Sequence, residues 1–364
     1  MVEVIEGLAK VDVPRMVITR KAEAFYNPHM QYQRDVTMSA LRVFSGYRGE
    51  GLKVCDPLAG TGIRTLRMAR EVPGIRDIVA NDASPAAFAV MRKNLSGRHR
   101  GVRMKLVNRN ANALFFDSPR AFDYIDVDPF GSPAPFLSGA ASALGPDSML
   151  GLTATDTGAL CGSFPRTCLS RYGIRAIKTD FYKETGIRVL VTAAMVSLSR
   201  YDLAFVPVYS HANHYFRIMG LVRRKKSLLS AQFAKVGFVS YCRACLSRTP
   251  GVSGKCPECG KPAELLGPLW TGPLVDREFC GKMLSDMRSA GYARTGEIEM
   301  AEGELDHPFY YDLHALFRAF RKPPKKIGDM MEGLRSGGFS ASRTHLCPTG
   351  IRTDAPHREI VRLL

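Results

Sequence analysis

The stretch Leu52-Lys53-Val54-Cys55-Asp56-Pro57-Leu58-Ala59-Gly60-Thr61-Gly62, followed by Ile63-Arg64-Thr65-Leu66-Arg67-Met68-Ala69-Arg70-Glu71, reads as a short strand, a glycine turn and a helix. Glycines at 60 and 62 let the backbone turn tightly and come close to a ligand. A second strand, Ile78-Val79-Ala80, ends at Asn81-Asp82, and an acid there suits the two hydroxyls of a ribose. Two features argue against a nicotinamide dinucleotide. Position 65 is Thr where the third glycine of that fingerprint would stand, and Asp56 lies where a pyrophosphate would approach. The same acid would attract the ammonium or sulfonium of S-adenosylmethionine, so the order acid-x-x-x-Gly-x-Gly favours a methyl donor.

Further strands keep the β/α rhythm. Met104 to Val107 leads into Asn110-Ala111-Asn112, Phe122 to Val127 follows, and Met149 to Thr155 is the fifth. Leu203 to Tyr209 and Tyr215 to Met219 read as a closing antiparallel pair. Alternation at this spacing predicts a mostly parallel, doubly wound α/β sheet of the Rossmann type. Ligands of such sheets bind outside the carboxyl ends of the strands, where Asp56, Gly60, Asp82, Asn110 and Asp128 all fall.

The fourth strand runs into Asp128-Pro129-Phe130-Gly131. The acid can accept a hydrogen bond or a proton, the proline stops the strand, and the ring offers a flat face to a planar substrate. That is the layout needed to methylate an exocyclic amine on a nucleobase. Asp126, two residues earlier on the same strand face, is the second candidate acid.

The chain has 364 residues, a net charge of +17 and 45% hydrophobic content. Its length predicts two or three domains. No run approaches the ~18 apolar residues that span a bilayer, and the acidic start Met1-Val2-Glu3-Val4-Ile5-Glu6 is unlike a signal peptide, so a cytoplasmic protein with no membrane association is expected. The charge points to a polyanionic partner. Three basic blocks without acids stand out: Arg92 to Arg109, Arg223-Arg224-Lys225-Lys226, and Arg318 to Lys326.

Of nine cysteines, five are scattered singles. The other four form Cys242-Arg243-Ala244-Cys245 and Cys256-Pro257-Glu258-Cys259, two knuckles that predict tetrahedral coordination of a structural zinc with no open position for water. Beyond them, Met283 to Ala290, Tyr311 to Arg321 and Ile327 to Arg335 read as helices. A glycine-bounded turn into a strand carrying Arg343, His345 and Arg352 suggests a winged-helix-like nucleic-acid surface. The expected domains are residues 1–235 with the donor site, 236–268 with the zinc ribbon, and 269–364 as an α+β nucleic-acid-binding unit.

Together these residues resemble the tRNA (guanine-26-N2)-dimethyltransferases over essentially the whole chain, from Phe25-Tyr26-Asn27-Pro28 through Asp128-Pro129-Phe130-Gly131-Ser132-Pro133 to Gly350-Ile351-Arg352-Thr353-Asp354-Ala355, with an archaeal-type, single-ribbon layout. The resemblance implies a class I methyltransferase domain, S-adenosylmethionine as donor and the exocyclic N2 of a tRNA guanine as acceptor. It implies donor binding by Arg34, Arg64, Asp82, Asn110 and Ala111, beside Asp56 and Gly60. Asp82 is expected on the ribose and Asn110, where the family commonly has Asp, on the adenine edge. It implies catalysis by Asp128, with Phe130 and Phe25 as walls around a flipped guanine, in a protein expected to be a monomer. Two other readings fit parts of the pattern: an amino-methyltransferase acting on adenine or cytosine, and a non-enzymatic RNA-binding protein with a vestigial core.

Overall fold

The structure, a computed structural model, describes residues 1–15, 24–97, 99 and 101–364. Seven strands form the central sheet: β1 (Leu52–Asp56), β2 (Ile75–Asn81), β3 (Arg103–Val107), β4 (Phe122–Val127), β5 (Leu144–Ala154), β6 (Ala204–Ala212) and β7 (Phe216–Arg223). Their order is 3-2-1-4-5-7-6. β7 runs antiparallel to both neighbours, and the other pairings are parallel. This is the expected doubly wound sheet with its closing antiparallel pair. The order reverses between β1 and β4, which opens a crevice at their carboxyl ends.

Each face of the sheet is covered, so the parallel strands are apolar on both sides. On one face the helices Leu137–Ala143 and Tyr182–Ser199 pack against Ile125, Leu150 and Ile218. Tyr182–Ser199 is buried almost all round, because the ribbon strand Glu264–Trp270 lies on its far side. A helix apolar on every side needs such a double cover. On the other face the helix Gln31–Arg48 lies beside Arg277–Ser289 and Gly296–Glu302 in a second apolar cluster. Apolar packing therefore runs across residue 269, with Phe279, Met283 and Met287 joined to Phe44 and Met68.

The four cysteines lie on loops beside a three-stranded antiparallel sheet, Arg248–Pro250, Val236–Tyr241 and Glu264–Trp270. The end of the chain gives a short strand at Tyr311–Asp312, helices at Leu313–Ala319 and Ile327–Ser336, and the hairpin Ala341–Thr344 with Cys347–Thr353. That order is winged-helix-like, but of the three residues expected on its nucleic-acid face only Arg343 is partly exposed, donating to the Pro348 carbonyl at 2.6 Å, and the other two are not on a surface. Arg352 is buried between Glu184 and Glu304, and His345 is buried against Glu304 and the Ser210 carbonyl. The physical reason is pairing: Glu184 on the helix Tyr182–Ser199 sits in the core and needs cations, and Arg352 with Arg188 supplies them. Burial alone would raise the Glu184 carboxyl, yet these guanidiniums hold it at about 2. No helix among the described residues is long and apolar enough to cross a membrane.

Candidate active site

A cavity of about 380 Å³ opens at the carboxyl ends of β1, β2, β4 and β5. Its walls include Phe25, Arg34, Asp56, Gly60, Arg64, Asp82, Asp128 and Phe130. Eight of the ten residues expected to bind the donor or act in catalysis thus come together. Asn110 and Ala111 are not among that lining. Asn110 caps the helix Ala111–Phe116, its side-chain oxygen accepting from the Asn112 and Ala113 backbone N–H groups.

The glycine turn is shaped by its ligand-side neighbours. Gly60 has φ +57°, and a Cβ there would stand 3.0 Å from the Phe25 carbonyl oxygen. Asp82 braces the turn from β2, its carboxylate accepting from the Gly60 N–H at 3.0 Å and the Ser84 N–H at 2.9 Å. Burial raises the Asp82 carboxyl, and these two N–H groups offset part of that. At the end of β1, Asp56 is buried and accepts from the Thr65 hydroxyl at 2.7 Å. Burial pushes its carboxyl up to about 7, with the Arg64 guanidinium pulling it down and the Asp126 and Asp128 carboxylates adding to the rise.

Arg34 faces the cavity but is gripped from behind. It makes a bidentate pair with Glu6 at 2.6 and 2.7 Å and donates to the Asn27 carbonyl. Glu6 ends the first strand of the N-terminal hairpin Val2–Glu6 and Ala9–Val13, and it also accepts from Arg67 at 2.8 Å.

Beneath the acceptor side lies a chain of buried charges. Arg217 on β7 meets Asp126 through both carboxylate oxygens, at 3.1 and 2.8 Å. Tyr124 donates to Asp126 at 2.6 Å, and Arg64 does so at 2.6 Å. The other terminal nitrogen of Arg64 donates to Gln33 at 2.9 Å and to one oxygen of Asp128. Asp126 is fully buried with both oxygens engaged, so the second candidate acid is closed to substrate. Burial opposes its ionisation, but Arg217 and Arg64 together hold its carboxyl below the usual range. Asp128 is different. One oxygen is anchored by Arg64, while the other has no partner among the described residues, and the residue lines the cavity. The loop after it is pinned to the end of β5, where the Gly131 N–H donates to the Thr155 hydroxyl at 2.7 Å.

Phe25 and Phe130 touch each other, with ring centroids 4.3 Å apart and planes at 71°. A base stacked between parallel rings needs two stacking contacts, roughly 7 Å in all, so these rings would have to separate to hold one. The contact is edge-on, and Phe130 is 46% exposed.

Sequence reasoning missed Gln33, Arg217 and Glu6. Gln33 stands next to Arg34 on the helix Gln31–Arg48, and its amide joins Arg64 to the Thr153 hydroxyl, donating to the latter at 2.7 Å. Arg217 carried a signal of its own. A cation inside the apolar strand Phe216-Arg217-Ile218-Met219 has to find a buried acid.

The four thiols of Cys242, Cys245, Cys256 and Cys259 lie within 4.8 Å of one another. Cys242 and Cys259 are 3.5 Å apart at sulfur, and Cys245 and Cys256 are 3.6 Å apart. A tetrahedral zinc with bonds of about 2.3 Å would set these separations near roughly 3.8 Å, so the four residues fit such an ion.

The seven-stranded sheet in the order 3-2-1-4-5-7-6, with the glycine turn after β1 and an acid after β2 at the same cavity, defines a class I methyltransferase. Comparison with known proteins narrows this. The sequence profile of the N2,N2-dimethylguanosine tRNA methyltransferases matches residues 7–364, and the chain belongs to that family. It is 36% identical to the tRNA (guanine(26)-N(2))-dimethyltransferase of Methanothermobacter thermautotrophicus, across 100% of this chain and 98% of that protein. It is 35% identical to the protein of the same name from Thermococcus kodakarensis, across 100% and 99%. A solved structure, Trm1 from Pyrococcus horikoshii in complex with S-adenosyl-L-methionine, superposes with a TM-score of 0.89 at 30% identity, covering 100% of this chain and 99% of that one.

Proposed function

We propose that this protein transfers methyl groups from S-adenosylmethionine to the exocyclic N2 of guanine 26 in tRNA, giving N2-methyl- and then N2,N2-dimethylguanosine. The observation that carries the reading is that Asp128, with one oxygen unengaged, and Phe130 line the same cavity as Asp56, Gly60 and Asp82. The names of full-length relatives at 35–36% identity supply the substrate.

The donor, when bound, supplies an electrophilic methyl group, and Asp82, the Gly60 turn, Arg34 and Asp56 would hold it. Asn110 and Ala111 contribute at the adenine end only if the donor reaches the start of the Ala111–Phe116 helix. The rest of the chemistry belongs to the acceptor side. The lone pair of a guanine N2 is delocalised into the ring and is a weak nucleophile. Asp128 accepts an N–H hydrogen bond through its open oxygen, which localises the lone pair, and takes the proton as charge develops on nitrogen. Arg64 anchors the other oxygen and so aims the carboxylate. Phe25 and Phe130 part to admit the flipped base and hold it against the donor, supplying orientation in place of covalent catalysis.

The ribbon cysteines bind a structural zinc in this reading, with four thiolates and no open coordination position. Residues 1–235, 236–268 and 269–364 act as donor, ribbon and tRNA-binding units, the last two bearing on the first through shared apolar packing. The test is nucleoside mass analysis of unmodified tRNA after incubation with the protein and donor. N2-methylated guanosine at position 26 is expected, and methylated adenosine or cytidine, or no product, overturns the reading.

A further inference from the structure

We propose that the exposed face of residues 163–182, beside the cavity mouth, is the surface on which the tRNA backbone docks next to the target base. The proposal rests on the tRNA reading above.

The three basic blocks of the sequence are unequal in space. In the first, Lys93 pairs with Asp12, Arg103 with Asp77 and Arg109 with Asp117, at 2.6 to 2.8 Å, and Arg98 and Arg100 lie outside the described residues. In the second, Arg223 and Arg224 face Asp147 and Asp202 at 3.5 and 3.8 Å. While Arg318, Arg321, Lys322, Lys325 and Lys326 of the third block stay exposed with no carboxylate partner among the described residues, acids distant in sequence therefore blunt the first two.

The segment from 157 to 183 is the reverse. It contains Arg166, Arg171, Arg175, Lys178 and Lys183 against a single acid, Asp180, which is buried with Arg248 at 2.8 Å. Arg171 pairs with Asp156 at 3.0 Å. Arg166, Arg175 and Lys178 are exposed and have no carboxylate partner among the described residues. Among these cations stand Phe164, 62% exposed, and Tyr182, 41% exposed. Unpaired cations with exposed rings between them match a strand of phosphates carrying unstacked bases. Leu169 on the same helix is also 55% exposed, but exposed rings set among unpaired cations fit RNA better than a protein partner.

Location makes the face part of the site. Ser132, two residues after Phe130, donates to the Tyr172 hydroxyl at 2.7 Å, and Tyr172 donates to Asp156 at 2.8 Å. Those bonds fix the helix Pro165–Tyr172 to the loop that carries Asp128. Phe164 leans on Gly158, where a Cβ would come within 2.7 Å of its ring, and Gly158 lies three residues beyond the cavity-lining Thr155. A Cβ at Gly162 would run into the Ile177 backbone, which brings Lys178 back beside Phe164. At the other end, Arg175 and Gly267 exchange backbone hydrogen bonds of 2.9 and 3.3 Å, joining the face to the ribbon strand. The track thus runs from the mouth to the ribbon.

The test measures binding of an unmodified tRNA transcript between about 50 and 200 mM salt, with donor affinity by calorimetry on the same samples. The triple variant Arg166→Ala/Arg175→Ala/Lys178→Ala is expected to bind tRNA at least roughly ten-fold more weakly, with a salt slope lower by about 2 to 3 and donor affinity unchanged. Phe164→Ala is expected to weaken tRNA about ten-fold with the slope kept. Unchanged tRNA affinity and slope in the triple variant overturns the proposal. Should donor affinity also fall, the single variants Arg166→Gln and Lys178→Gln decide, because each must lower the slope by about 1. Wild-type protein that forms dimethylguanosine while the variants bind tRNA normally removes the docking face and keeps the function. Protein that binds tRNA through this face and yields no N2-methylated guanosine does the opposite.

Discussion

The two halves of the cavity are built on opposite principles. On the donor side, Asp56, Asp82 and Arg34 are wholly or partly buried, and each is tied to a hydroxyl, a backbone N–H or a carboxylate. On the acceptor side, Asp128 keeps one oxygen unengaged, Phe130 is half in solvent, and Phe164 stands exposed beyond it. In the function proposed, a small donor of fixed shape would be met by a preorganised pocket. A base that arrives attached to a large polyanion is met by groups left free to accommodate it. Between the halves lies Arg64, which touches the acids of both the buried network and the open site.

Three experiments can break or sharpen that contrast. The largest effect is expected at Asp128. Asp128→Ala should lower kcat by on the order of 10²–10⁴ while donor affinity holds, measured by single-turnover methyl transfer and calorimetry. Retained turnover would remove the acceptor side's only chemical group from its role. Next is Asp126, which belongs to the frame and not to the chemistry. Asp126→Ala strands Arg217 in the core and should cost about 3–5 kcal/mol of stability in denaturant unfolding. A fully stable variant would show that the buried chain of charges is not what aims Arg64.

The smallest effect concerns Asp56. Its folded carboxyl titrates near 7, and only the ionised form attracts a cationic donor, so donor affinity should rise about ten-fold from pH 6 to pH 8. Asp56→Asn should flatten that profile. The same group acts on stability with the opposite sign. The unfolded chain releases this proton near about 4 and the folded one near about 7, so in the donor-free protein this contribution falls as pH rises through that window. A flat affinity profile in the wild type would mean that Asp56 stays neutral beside the donor.

What the sequence revealed and what it hid divide by range. The glycine turn, the strand rhythm, Asp128-Pro129-Phe130 and the two Cys-x-x-Cys pairs are local patterns, and each reappears where it was expected. The chain Arg217, Asp126, Arg64, Gln33 joins residues from four separate elements, and no local pattern announces such a pairing. Arg352 and His345 failed for the same reason. A cation in a strand after glycines looks like a nucleic-acid contact until Glu184 and Glu304 are found opposite it. Basic runs mislead in the same way, since Asp12, Asp77 and Asp117 return to them through space.

The pairing of Glu184 with Arg352 also sets an order of events during synthesis. Helix Tyr182–Ser199 lies at the centre of the methyltransferase core, and its acid finds Arg188 at once. Its remaining partners, the backbone N–H groups of Phe309 and Tyr310 and the Arg352 guanidinium, emerge from the ribosome much later. The central fold is therefore sealed by residues translated long after its own helix, and a chain stalled short of Arg352 carries a half-satisfied charge at its heart.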